Sequence, residues 1–492
     1  MTPARGHRAA SPRGRMPPHR SYPLLALFVL LLWGWTGFVR AQALPPSVAA
    51  ALERAQVPVQ AVSVLVQPLE GGAPLLAVNE TVPRNPASVM KLVTTFAAYE
   101  TFGAQYRWTS RLVARGRVLG QELVGDLVLR SDGDPYLTAE RTWKLLRTAR
   151  ALGIQTIRGR LRLEAEGLRI PPADPFAFDG DGYRPYNTPA SAELVNFNTV
   201  IVQLQPSADG TRALATLHPP LAGVSVGNAL KLEPGTCPAD VVKRLETGVQ
   251  EDAQGVAITL AGRYPASCGI RFLGLSPLPA ERFASAMLEG IWRELGGRLL
   301  SADAPVPSGS EWLVASDDSP TLTEIAYQMN KWSSNPIARQ LLALVGAARS
   351  PDAPDHVAAG ASAVRSLLAE EGIDRHGLVL ENGAGLSRDE RIAAADLARL
   401  LQTVWNRPYA AEFIATLPVA GVDGTARRRF KDAPIREWAH LKTGTLRDVR
   451  AIAGFAQSGS GRRYVIVAFV EHANAAQAGD VLTALLDWLW QH

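Results

Sequence analysis

Residues 60–67 alternate apolar and polar side chains, the period-2 pattern of a strand with one buried face. The segment Asn85-Pro86-Ala87-Ser88 then opens an apolar run through Tyr99, and proline with a small polar residue at that point marks a helix start. Between 105 and 285 the character changes. Short apolar or alternating stretches at 107–114, 123–129, 158–163, 200–205 and 257–263 are separated by clusters of Gly, Pro and Asp, which reads as a mainly β region. Helical periodicity returns at 280–295 and dominates 322–329, 336–347, 359–371 and 393–405. Two strands at 451–457 and 464–470 are joined by Ser-Gly-Ser-Gly-Arg-Arg in a hairpin, and a helix covers 475–490. The pattern predicts an α/β body, residues 44–104 and 286–492, interrupted by a β-rich insertion at 105–285 that forms one or two small domains and is read as two.

Composition changes this picture mainly at the N-terminus. The chain has 492 residues, 47% hydrophobic and 20% charged, long enough for a large core and roughly three domains of ordinary size. Residues 24–39 are uncharged and largely apolar, follow an Arg/Pro-rich stretch and lead to Ala41-Gln42-Ala43. That order of basic, apolar and small residues is a secretory signal peptide, cleaved after Ala43 or Ala41 and translated from Met1 or Met16. It falls short of the roughly 20 apolar residues that span a bilayer, so residues 1–43 are read as a removed signal, with no stable transmembrane anchor, and the mature chain as periplasmic. The six arginines ahead of Ala43 turn the formal charge of +5 into −1 once removed. A near-neutral mature chain lacks the basic footprint of a nucleic-acid binder. In an exported chain Cys237 and Cys268 are expected to form a disulfide. Two cysteines without neighbouring histidines offer no metal site, and nothing in the sequence calls for a cofactor.

Three short motifs carry chemistry. In Ser88-Val89-Met90-Lys91 the serine and lysine are three apart at a helix start, on one face, so the amine reaches the hydroxyl. A serine hydroxyl needs a base, and lysine supplies one when burial or nearby cations lower its pKa, whereas arginine cannot lose its proton. Lysine is scarce here, seven in the whole chain. Ser333-Ser334-Asn335 lies between two helices, where a hydroxyl and an amide either relay a proton and hold a carbonyl or simply cap the second helix. Lys442-Thr443-Gly444-Thr445 follows an extended stretch, and its glycine admits a close ligand such as an extended peptide ending in carboxylate.

The order Ser-x-x-Lys, Ser-x-Asn, Lys-Thr-Gly resembles the signature of serine penicillin-binding proteins and serine β-lactamases. The gap of 245 residues between Ser88 and Ser333 resembles the low-molecular-mass penicillin-binding proteins of the D-Ala-D-Ala carboxypeptidase/endopeptidase family, in which a large insertion separates the first two motifs. Gly125-Asp126-Leu127-Val128, Gly133-Asp134-Pro135 and Gly385-Leu386-Ser387-Arg388 also look familial, while Asn382-Gly383-Ala384-Gly385 departs from the usual Asp-Gly-Ser-Gly. The resemblance implies a transpeptidase-like body, an antiparallel sheet flanked by helices, and an exported enzyme that acts on peptidoglycan stem peptides and is inhibited by β-lactams. It implies that Ser88 attacks, Lys91 takes its proton, Ser333 passes a proton to the leaving amine and Asn335 positions the substrate. Lys442 completes the electrostatics, Thr443 and Thr445 beside Gly444 bind the substrate end, and the N–H groups of Ser88 and Thr445 form the oxyanion hole. A further pocket of Asp181, Tyr186 and Arg388 is implied for the amine-bearing end of the stem.

Three other readings compete. A serine β-lactamase needs a rapid deacylation device, for which Glu193-Leu194-Val195-Asn196 is a loose match. Gly223-Val224-Ser225-Val226-Gly227 fits the nucleophile elbow of α/β-hydrolases, which must join a strand to a helix. A non-catalytic peptidoglycan-binding protein would have no need of all five motif residues.

Overall fold

Along the strand Arg463–Glu471, Val465, Val467 and Phe469 enter one core while Tyr464, Ile466, Ala468 and Val470 enter another. Period-2 geometry sends successive side chains to opposite faces, so a strand apolar at every position must be covered on both. The sheet it belongs to has five strands in the order Ala439–Thr445, Val449–Gln457, Arg463–Glu471, Val62–Pro68 and Leu76–Val78, every neighbour antiparallel. Helices Pro46–Ala55 and Gly479–Trp490 cover one face. Helices Lys91–Phe102, Leu322–Trp332, Asn335–Arg349, His356–Glu370 and Ala394–Trp405 pack in the core on the other. The computed structural model describes residues 44–253, 255–300, 311–373 and 376–492; the expected signal peptide and its junction at Ala43 lie outside them. No helix among the described residues is long and apolar enough to cross a membrane.

Strands on both sides of position 285 pair in one sheet with the insertion. Its main sheet runs Arg298–Leu300, Thr156–Arg158, Glu122–Ser131, Thr109–Leu119, Glu311–Asp318, with Leu161–Ala165 also beside Glu122–Ser131. Glu311–Asp318 pairs antiparallel with Thr109–Leu119, and Phe283, Met287, Ile291 and Trp292 of helix Ala280–Glu294 are buried in the same core as Leu112 and Leu127. Arg298–Leu300 and Glu311–Asp318, both past the expected boundary at 285, therefore pair with strands of the insertion. Two three-stranded sheets complete the region, Glu246–Asp252, Gly255–Pro265, Val224–Glu233 and Arg271–Leu275, Val200–Pro206, Ala213–His218. Their buried side chains join the main sheet in one continuous core, so the two expected subdomains share their interior. Val224 opens a strand that leads to no helix, which removes the nucleophile elbow at Gly223 to Gly227. Cys237 and Cys268 are disulfide-bonded.

Helix Asn335–Arg349 ties insertion to body. The buried Gln340 amide donates to the carbonyls of Gly133, 3.1 Å, and Ser191, 3.0 Å, while its oxygen accepts from Ser191 N–H at 3.2 Å. A buried amide with its donors and acceptor satisfied fixes orientation more than it adds net stability. The same helix carries Asn335 at its first turn, so the insertion is held in register with the site.

Candidate active site

Ser88 sits in a short 3-10 turn, Ala87–Met90, that feeds helix Lys91–Phe102. Asn85 shapes the turn: its side-chain oxygen accepts from Ala87 N–H at 2.9 Å and its amide donates to Ser387 O at 2.9 Å. Ala87 is held at φ 47°, a left-handed conformation that a non-glycine residue keeps only when its surroundings enforce it. Gly385, at φ 75°, lies so close that a Cβ there would meet Ala87 O at 1.8 Å. The turn leaves Ser88 partly accessible among buried neighbours Ala87, Val89, Met90 and Lys91.

Lys91 is fully buried, and its amine donates to Ser88 Oγ at 3.1 Å, Asn335 Oδ1 at 2.6 Å and Ala384 O at 2.5 Å. Burial lowers its pKa well below that of an ordinary lysine, Lys442 and Arg339 add to the lowering, and Glu390 opposes it. Ser333 ends helix Leu322–Trp332 in a left-handed conformation, φ 60°, and Asn335 is already helical. Neither caps a helix through its side chain: Ser334 holds the N-cap position of helix Asn335–Arg349 and makes no side-chain cap bond. The side chain of Ser333 instead accepts from Lys442 Nζ at 2.9 Å, and Asn335 Nδ2 donates to Tyr186 O at 2.9 Å.

Lys442 lies on Ala439–Thr445, the edge strand of the body sheet, and its amine also donates to Thr443 O at 2.8 Å. Burial, with the nearby Arg429 guanidinium, lowers its pKa to about 7. Gly444 is needed for the approach of this strand to the serine turn, since a Cβ there would stand 2.6 Å from Pro86 O and 3.1 Å from Ala87 Cβ. The structure thus brings Ser88, Lys91, Ser333, Asn335 and Lys442 into one connected cluster, with Thr443, Gly444 and Thr445 on the strand beside it.

Asp181, Tyr186 and Arg388 bond to separate partners. Tyr186 OH donates to Asp179 Oδ2 at 2.9 Å, while Asp181 accepts from Arg184 Nε at 2.9 Å. The acid that meets the Tyr186 hydroxyl is thus Asp179, two residues before Asp181. Burial pulls its carboxyl upward, but bonds from Asp181 N–H, Asn187 and Tyr186, with Arg388 nearby, hold it below the usual carboxylate range. Arg388 stacks on Phe178, 4.6 Å from the ring centroid, and pairs with Asp448 at 3.2 Å. A cavity of about 530 Å³ is lined by Phe178, Asn187, Arg339, Asn382, Ser387 and Arg388 among others.

Sequence reasoning also missed two charged side chains, the buried Glu390 and the half-buried Arg339. Glu390 Oε1 accepts from the N–H groups of Glu381, 3.2 Å, Asn382, 3.0 Å, and Gly383, 3.3 Å, so it shapes the loop whose Ala384 carbonyl receives Lys91. Burial pushes its carboxyl upward, partly offset by those amides and by Lys91. Arg339, one helical turn after Asn335, donates to Thr188 O and is lowered by burial to about 10. The i, i+4 spacing from Asn335 was the one available signal for it.

The D-alanyl-D-alanine carboxypeptidase DacB of Haemophilus influenzae is 27% identical over 405 residues, spanning 80% of this chain and 81% of that protein. The D-alanyl-D-alanine carboxypeptidase of Actinomadura sp. is 27% identical over 396 residues, 75% of this chain and 70% of that protein. A crystal structure of penicillin binding protein 4 from Haemophilus influenzae shares the fold, with a TM-score of 0.71 at 22% identity over 90% of this chain and 99% of that one. The model of the D-Ala-D-Ala carboxypeptidase 3 (S13) family matches residues 44–491, running through body and insertion alike. On that match the chain belongs to the S13 family of serine carboxypeptidases, the low-molecular-mass penicillin-binding proteins.

Proposed function

We propose that the chain is an exported, periplasmic D-Ala-D-Ala carboxypeptidase, with endopeptidase action on cross-links, that works through an acyl-enzyme on Ser88 and is acylated there by β-lactams. The observation that carries this reading is the buried Lys91 amine, 3.1 Å from Ser88 Oγ and shifted toward its neutral form. Ser88 Oγ attacks the carbonyl carbon of the penultimate D-Ala as Lys91 takes its proton. The N–H groups of Ser88 and Thr445 receive the developing oxyanion. The C–N bond then breaks as the leaving amine takes the proton held by Lys91 through the Ser333 hydroxyl, which Lys442 orients with a hydrogen bond. Asn335 holds Lys91 and the substrate backbone, and Thr443 and Thr445 receive the terminal residue along an edge strand suited to strand addition. Water hydrolyses the ester and restores Ser88.

The stem peptide's amine-bearing end is assigned to a pocket beside Tyr186, with Asp179, hydrogen-bonded to that tyrosine, or Asp181, two residues on, as its acid. A β-lactamase reading has less support. Glu193 accepts from Ser191 and lines a different cavity, of about 910 Å³. The buried acid near Lys91, Glu390, is engaged by three loop amides. A non-catalytic wall-binding role leaves the Ser88 and Lys91 pairing without a purpose. Digestion of purified peptidoglycan, with products identified by mass, tests the proposal: release of D-Ala or of uncross-linked stems supports it, and unaltered muropeptides count against it.

A further inference from the structure

Three of the seven lysines are buried: Lys91 and Lys442 belong to the three motifs, and Lys331 does not. Lys331 lies in the last turn of helix Leu322–Trp332, two residues before Ser333. Its amine donates to Asp423 Oδ2 and stands 5.2 Å from the centroid of the Tyr327 ring. The other Asp423 oxygen accepts from Val419 N–H at 2.7 Å. The carboxylate thereby joins the helix that ends at Ser333 to the loop 418–425.

That loop is stitched in turn to the edge strand Ala439–Thr445. Leu441 N–H donates to Pro418 O at 2.7 Å, Ala420 N–H donates to Ala439 O at 2.9 Å, and the hydroxyls of Thr425 and Thr443 are 2.7 Å apart. Toward the helix the fit is close as well: Gly424 is at φ 52°, and a Cβ there would stand 2.5 Å from Lys331 O. Ser333 and Lys442 are 109 positions apart in sequence, so their 2.9 Å hydrogen bond depends on the spacing between helix end and strand. Ser333 is also at φ 60°, which a serine keeps only when its surroundings enforce it. Desolvation offsets much of the attraction in a buried ion pair, so the pair is weak grounds for stability. What it joins is the two sides of the site.

We propose that Lys331 and Asp423 are positioning residues, whose ion pair holds the Ser333 hydroxyl within reach of Lys442 and of the leaving amine. The inference rests on the carboxypeptidase reading above and assigns the spacing of its proton relay to a pair outside the three motifs. Both residues act through Ser333, so their effect falls on the step in which the C–N bond breaks and the nitrogen takes a proton. A thioester of the same acyl group expels a thiolate, which leaves without that proton, so its acylation step has little need of the relay.

The test measures kcat/KM on an N-acylated D-Ala-D-Ala peptide and on the thioester that carries sulfur in place of the scissile nitrogen. The proteins are wild type, Asp423→Asn, Asp423→Glu and the double variant Lys331→Met/Asp423→Leu. Asp423→Asn should lower the value on the peptide by roughly tenfold or more and the value on the thioester by far less, and Asp423→Glu should recover part of the loss. The double variant leaves no buried charge unpaired; it serves if Asp423→Asn does not fold, and should show the same split. Equal losses on the two substrates, or no loss in a folded variant, would overturn the inference and leave the carboxypeptidase reading standing. A wild type inactive on both substrates would remove that reading and the inference with it.

Discussion

The Lys91 amine lies 3.1 Å from Ser88 Oγ and 2.6 Å from Asn335 Oδ1, so one buried nitrogen joins the first two motifs across 244 positions of sequence. On the proposed mechanism this amine accepts the proton of the serine. Lys91→Arg keeps the charge and loses that capacity, and acylation should fall by roughly 10²-fold or more. Stopped-flow acylation by a chromogenic cephalosporin measures it; a loss under about tenfold would show that another group is the base.

The Lys442 pKa of about 7 has a consequence for stability. Between pH 7 and 10.5 the unfolded chain binds a proton at this lysine that the folded chain does not, so stability from this group rises with pH across that window. Lys442→Met removes the buried cation. Its melting temperature should exceed that of wild type near pH 7, and the gap should narrow as pH approaches 10.5. A gap constant over that range would mean Lys442 does not titrate as its burial implies.

Glu390 raises the pKa of Lys91, so Glu390→Gln should lower it and move the acid limb of the acylation rate toward lower pH. Its side-chain carbonyl still accepts the loop amides, which limits the structural effect. A pH profile superimposable on that of wild type would restrict Glu390 to holding the loop.

Much of this was legible in the chain for a physical reason. Ser88 and Lys91 are held on one face by local helical geometry, and the unbroken apolar run at 464–470 marks a strand without knowledge of its neighbours. Long-range pairing was not legible. Glu311–Asp318 joins the insertion because it pairs with Thr109–Leu119, about two hundred positions away in sequence, and its own burial is weak and irregular. Asp179 and Asp181 share the Asp-Gly-Asp-Gly turn, and only the chain's path decides which meets Tyr186. Glu390 gave no signal because its role comes from three backbone amides, which no motif records.

Asp179→Asn should lower kcat/KM for amine-bearing stem peptides by roughly tenfold, with a far smaller effect on short acyl-D-Ala-D-Ala substrates. Asp181→Asn, which frees Arg184 at a half-exposed position, should have little effect on either. The reverse ranking would return the recognition role to Asp181.

Gly444→Ala places a methyl group 2.6 Å from Pro86 O, a backbone atom that cannot rotate away. The edge strand must shift from the Ser88 turn, at a cost of about 1–3 kcal/mol, with loss of acylation. Denaturant titration together with acylation rates measures both; wild-type values would show that the strand does not need this close approach.

The central claim is that Ser88 becomes the acylated residue. Treatment of the purified chain with benzylpenicillin, followed by peptide mass mapping, should find one penicilloyl adduct on the peptide containing Ser88, and Ser88→Ala should remain unmodified with an unchanged melting temperature. An adduct on any other residue, or labelling that persists in folded Ser88→Ala, would contradict the account.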